Sequence, residues 1–249
     1  MNEQQLREEI RFQRKMYDSS LARLAADAVV DDQIASAYFG LAVNAENTAS
    51  IEVLLGEYDA ARTHYETAVE HYLTAIEEKR RRREKPIGLN EPHTYLLALY
   101  AARAAGSSDR VTTATTEMLD ALRDAEAVIE DAGTLAFARY ARAVAGILLA
   151  RESVVEAASE PLLDESVPPV LRGVPECLAG LHHGETERVR DGLVSVLDYH
   201  RSNRDDYPAT EVSLKATTLY GLARDRGVAP PATEFDPELR SFLAVELLD

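Results

Sequence analysis

The densest group of metal-ligating side chains is the run HHGETE, which gathers His182, His183, Glu185 and Glu187. Two imidazoles and two carboxylates suit a zinc-type centre, but a single helix grips a metal only when its ligands recur at i and i+4. Gly184 stops a helix in the middle of the run, so it reads as a solvated corner with no metal ligands. His64 and His71 share a helical face but lie two turns apart, roughly 10 Å of rise, too far for one ion. Cys177 sits among apolar residues in GVPECLAGL with no histidine placed to draw off its proton, so it reads as an inert core thiol. Arg80 to Arg83 could grip a phosphate or an acidic partner. They also fall in the last turns of a long helix, where cations offset the negative end of the dipole, and that role is the one adopted. Glycine loops for phosphate, serine elbows and framed carboxylate pairs are missing. The expectation is therefore a binding protein and not an enzyme, with no catalytic, cofactor-binding or metal residues and no cofactor.

Composition narrows the partner. Acids outnumber bases 43 to 27, for a formal charge of -16, which argues against general affinity for nucleic-acid phosphates and favours a basic protein. The acids are spread along the chain, as on a surface adapted to a halophilic, high-salt cytosol. The single cysteine forbids an intrachain disulfide and points to a reducing compartment. The first eighteen residues are too charged for a signal peptide, and no apolar run reaches the roughly 18 residues of a membrane span. A cytoplasmic protein without membrane contact is expected.

Those side chains must be held by helices. Nearly every segment repeats at 3.6 residues, and strand alternation is absent. The fold class expected is all-α: an irregular bundle of about ten to eleven helices in antiparallel hairpins, with solenoid-like packing. Residues 1–249 are read as a single domain, with a possible sub-domain boundary near 161–169, at PLLDESVPP. The first helix is placed at 3–29, with Asn2 and Gln5 at capping-box spacing. Others follow at 32–55, 57–83, 91–105, 109–131, 134–150, 152–160, 169–183, 185–203 and 208–226, and a last one from DPEL. EKPIGLNEPH is the clearest linker of the N-terminal half.

In GEYDAARTHYETA, Gly56 permits a tight turn, and Tyr58, Ala61, Tyr65 and Ala68 then share one face. Near residues 38–76 this resembles half of a tetratricopeptide unit. A true array repeats at about 34 residues. Related turns at Gly106, near Arg151 and at Gly184 are unevenly spaced, so a lone hairpin is expected. Asn44 lies on the stripe of the preceding helix with Leu41, Thr48 and Ile51, where a buried amide would bond to a neighbouring helix. If the hairpin instead served as an adaptor for a peptide or partner helix, Asn44, Tyr58 and Tyr65 would line its groove.

From about residue 170 onward the order of features is that of another family. A helix, a Gly-acid turn at Gly184 and a helix ending in Tyr-His-Arg lead to LARDRG, at Leu222 to Gly227, and to the aromatic-x-Pro segment at Phe235 to Pro237. This C-terminal third resembles the immunity protein 49 family, all-helical proteins that protect cells from toxins of polymorphic toxin systems. The resemblance implies a non-catalytic protein that neutralises a cognate toxin by direct binding, a basic toxin if the acidic surface is complementary. It maps no functional residue, and the oligomeric state is left open.

If the acidity is a salt adaptation, adding potassium chloride screens the self-repulsion of a chain at -16 and the protein becomes more stable. Thermal melts from low to molar salt should show a rising midpoint.

Overall fold

A computed structural model of the chain describes residues 2–82, 91–164, 167–205 and 207–248. Most of the expected linker at 84–93, Arg83 and part of 161–169 lie outside the described residues. The helices are α1 (Glu3–Ala25), α2 (Ile34–Leu54), α3 (Tyr58–Arg82), α4 (Glu91–Ala104), α5 (Ser108–Ala121), the single turn α6 (Ala125–Val128), α7 (Ala132–Leu148), α8 (Glu152–Asp164), α9 (Val174–His183), α10 (Thr186–Asn203), α11 (Leu214–Asp225) and the short α12 (Pro237–Ser241). No strand occurs among the described residues, so the all-α class holds.

Packing divides the chain into two compact units, Met1–Val111 with Asp206–Glu211 and Asp249, and Thr112–Asp205 with Val212–Leu248. The first unit is organised around α2, which is buried on most sides because α1 covers one flank and α3 the other. Ala42, Ala45 and Ala49 of α2 and Ala61, Ala68 and Ala75 of α3 are buried, and these small side chains let the two backbones approach. The capping box at Asn2 starts α1 as expected, with Asn2 Oδ1 accepting from Gln5 N at 3.0 Å. α1 then stops four residues early, where Asp27 turns left-handed at φ 52°.

Residues Pro208–Glu211 were expected within a long helix and instead form a separate 3-10 turn that packs on α2. The reason is local. Pro208 cannot donate to a preceding helical carbonyl, and Ser213 caps α11 afresh by accepting from Ala216 N. Ala209 joins Leu6, Ile10 and Ile51 in one apolar cluster, and the Tyr207 hydroxyl donates to Glu9 at 3.1 Å.

In the second unit, α7 with α8 and α9 with α10 form hairpins built on one plan. Gly146 meets Val155, and Gly180 meets Val189, so closely that a Cβ at either glycine would lie within 3.0 Å of the valine's backbone nitrogen or nearer. Each turn is closed by a backbone bond back to the glycine, Arg151 N to Gly146 O at 2.8 Å and Glu185 N to Gly180 O at 2.9 Å. Roughly 34 residues separate the two hairpins, the period of a helical array. The echo is masked in the sequence because the first turn places Ala150, not glycine, in the left-handed region. α8 also runs through Pro161 to Asp164, four residues past its expected end.

Gly192 of α10 faces Cys177 of α9, and a Cβ there would come within 2.5 Å of the Cys177 backbone nitrogen. Gly192→Ala is expected to destabilise the second unit by about 2 kcal/mol, because the obstacle is backbone and cannot rotate away. Urea melts followed by circular dichroism would measure it.

Candidate functional site

The hairpin flagged by its tyrosines is a filled seam. Tyr65 is fully buried, and its hydroxyl lies 3.0 Å from Ser50 Oγ on α2. Two turns on, the Tyr72 hydroxyl donates to Glu46 Oε2 at 2.8 Å. Toward the turn, Glu52 is only 1% exposed, and it accepts from Arg14 Nη2 of α1 at 3.2 Å and faces His64 Nδ1 at 2.8 Å. Nδ1 also faces Ala60 O at 3.1 Å, so with two acceptors before it this nitrogen carries the hydrogen. Across the seam, Tyr17 of α1 bonds to His71 Nε2 at 2.7 Å, with the Tyr38 ring beside it. Burial pushes the His71 imidazole below its ordinary pKa and so favours its neutral form beside the tyrosine hydroxyl.

Of the three residues tied to an adaptor groove, Tyr65 lines no groove, whereas Tyr58 and Asn44 are half-buried. Asn44 lies roughly 120° around α2 from Ser50, the residue that meets Tyr65 of α3. Asn44 follows Ala37 and Gly40 at i+7 and i+4, and those two residues line an open groove between the second half of α1 and the first half of α2. That groove has a volume of ≈ 440 Å³ and is bordered by Ser20 and Arg23 of α1, by Val29 and Gln33 of the connecting segment, and by Ser36 of α2. Its sequence signal is weak, since Ser36, Ala37 and Gly40 are small residues that also suit a tightly packed helix.

Charged groups elsewhere are used to tie elements together. The described arginines of the basic cluster are held by acids: Arg80 by Glu91, and Arg81 and Arg82 by Glu78. Arg80 also lies over the Tyr95 ring. In the second unit, His182 Nδ1 faces Glu152 Oε2 at 3.0 Å, and Arg226 joins Glu152 Oε1 at 2.9 Å and Leu181 O at 3.2 Å. The hydrogen bond from Arg226, followed by that from His182, holds the Glu152 carboxyl below its ordinary pKa. Gly184 ends α9 in the left-handed region, and Glu187 goes to Arg190 at 2.6 Å. No group of three or more His, Cys, Asp or Glu among the described residues is set to hold a metal. Cys177 is fully buried, and burial pushes its thiol up to about 12.

No protein-family model, curated protein or solved structure matches the chain. The features of the C-terminal resemblance are folding devices here. Gly227 turns left-handed to end α11 while Val228 N bonds back to Ala223 O at 2.9 Å, Phe235 is buried edge-on to Tyr220, and Asp236 caps α12 through Glu238 N. No helix among the described residues is long and apolar enough to cross a membrane.

Glu46 went unnoticed in the sequence because a lone glutamate on a helix looks like a solvated one. Desolvation raises its pKa from 4.5 to about 7, and the bond from Tyr72 only partly offsets this. The folded state thus holds an extra proton between those values; the stabilisation is full below about 4.5 and is lost as pH rises through about 7. Glu46→Gln keeps an acceptor for Tyr72 and carries no charge. It should stabilise the first unit by about 2 kcal/mol at pH 8 and hardly at all at pH 4, in urea melts run across that range.

Proposed function

We propose that the chain is a non-catalytic binding protein that neutralises a basic protein by covering its working surface, as an immunity protein covers a toxin. One observation carries the reading. On the outer face of α8, Glu156 and Glu160 are exposed, have no ion pair among the described residues, and lead at i+4 and i+7 to the exposed Leu163. Unpaired carboxylates around an apolar side chain suit a cationic partner, since opposite charge speeds encounter and the apolar contact slows release. Exposed Asp124 and Glu130 flank the exposed Val128 in the sequence and repeat the combination. The C-terminal resemblance makes a toxin the leading partner, and the overall charge of -16 favours a basic one. A cytoplasmic site of action goes with this reading.

The adaptor reading draws support from the groove between α1 and α2, not from the tyrosine seam.

Coexpression with the product of the neighbouring gene tests the proposal. A stable complex is expected, together with rescue of growth if that product is toxic. Glu156→Lys with Glu160→Lys should weaken the complex at least tenfold without lowering the melting temperature of the free protein. Failure to form any complex, or a complex indifferent to the reversal, would sink the reading.

A further inference from the structure

α11 is enclosed by its neighbours over most of its length. Leu214 and every residue from Ala216 to Ala223 are buried, and within that stretch Lys215 alone is half-buried and reaches solvent. Lysine is seldom taken out of water unless an acid pairs with it. The chain carries 43 acids, yet Lys215 has no ion pair among the described residues. Its Nζ donates instead to the backbone oxygen of Val170, in the 3-10 turn Pro169–Leu171. The Tyr199 ring of α10 lies beside it, with the ring centre 6.0 Å from Nζ.

This position disfavours an ammonium on two counts. Lys215 is the second residue of α11, beside the positive end of the helix dipole. Its surroundings also remove the water that would solvate a charge and put one carbonyl in its place, which a neutral amine satisfies as well as an ammonium does. The Tyr199 ring favours a cation, but 6.0 Å is the outer limit of such a contact. Desolvation prevails and pushes the Lys215 amine down to about 8. Near pH 7.5 roughly a quarter of it is then uncharged, against about 0.1% for a lysine in water. With one N–H held by Val170, the lone pair of that uncharged amine is left to react.

We propose that Lys215 is a modification site, an amine that takes an acyl group directly from a small acyl phosphate. The uncharged Nζ attacks the acyl carbon with its lone pair. The C–N bond forms as the C–O bond to phosphate breaks, phosphate leaves with that electron pair, and the nitrogen gives up one proton to the departing phosphate. The product amide keeps an N–H for Val170 O and carries no charge, which suits a site that resists one. A small donor is required because the buried neighbours of Lys215 leave a narrow approach. The site is separate from the acidic face of α8 and does not depend on what binds there.

The test incubates the full chain with acetyl phosphate at pH 7.5, with Nα-acetyl-lysine amide in the same tube as a reference amine, and follows acetylation of each lysine by mass spectrometry. Lys215 is expected to react about tenfold faster than the reference, because its uncharged share is larger although its nucleophilicity is lower. Its rate should level off as pH passes about 8. Lys215→Arg should remove the fast phase and leave slow labelling elsewhere, with circular dichroism to check the fold. Should that variant fail to fold, site mapping on the unaltered chain decides alone. Three results would each overturn the proposal. One is a Lys215 that reacts no faster than the reference amine. Another is a rate at Lys215 that still climbs between pH 9 and pH 10. The third is labelling of Lys215 that begins only in urea, which would mean that the folded chain seals it off.

Discussion

Helices in this protein come within close reach of each other wherever a small residue replaces a bulky one, and the rest of the structure depends on that spacing. Gly146 against Val155, Gly180 against Val189 and Gly192 against Cys177 bring backbones together in the second unit. Alanines do the same between α2 and α3. Close approach requires a turn that reverses the chain within a few residues. Left-handed residues at Gly56, Ala150 and Gly184 supply it, each followed by a bond from the next amide to a carbonyl five residues back. Tight hairpins with narrow seams follow from these two conditions.

Between its alanines the first unit fills its seam with tyrosines as well as aliphatic side chains. A buried hydroxyl needs a partner, so each tyrosine brings in a polar group from the facing helix: Ser50 for Tyr65, Glu46 for Tyr72 and His71 for Tyr17. Glu52 collects Arg14 and His64 in the same way. The polar groups that look most like chemistry in the sequence are thus largely spent on registering helices. Exposed Glu156 and Glu160 on the outer face of α8 have no ion pair among the described residues and are not spent in this way.

The sequence carries the helices well and the polar partners poorly. Asn2 and Gln5 announce a helix start because a capping box is local, and Gly184 announces a stop for the same reason. Pro161 misleads because a proline normally ends a helix, yet near the end of α8 the helix continues only one turn beyond it. Ala150 hides a hairpin because alanine rarely turns left-handed, and only its place opposite Gly146 and Val155 makes the turn worthwhile. Tyr65 reads correctly as a packing residue but cannot reveal Ser50, since their meeting depends on the rotation of two helices. Asn44 was legible as a residue on the inner stripe of α2. The groove beside it was not, because it exists only where α1 diverges from α2 beyond Gln13.

The first unit is not continuous in the chain. Ala209 and Tyr207 close over Leu6, Ile10 and Ile51, and α5 to α10 are encoded in between. During synthesis α1, α2 and α3 leave the ribosome with that apolar cluster uncovered, and it stays open until α5 to α10 have been made. The second unit's hairpins, built from neighbours in sequence, can form at once. Completion of the N-terminal unit therefore waits on a turn near the C-terminus, and a nascent chain halted before it would present Ile10 and Ile51 to chaperones.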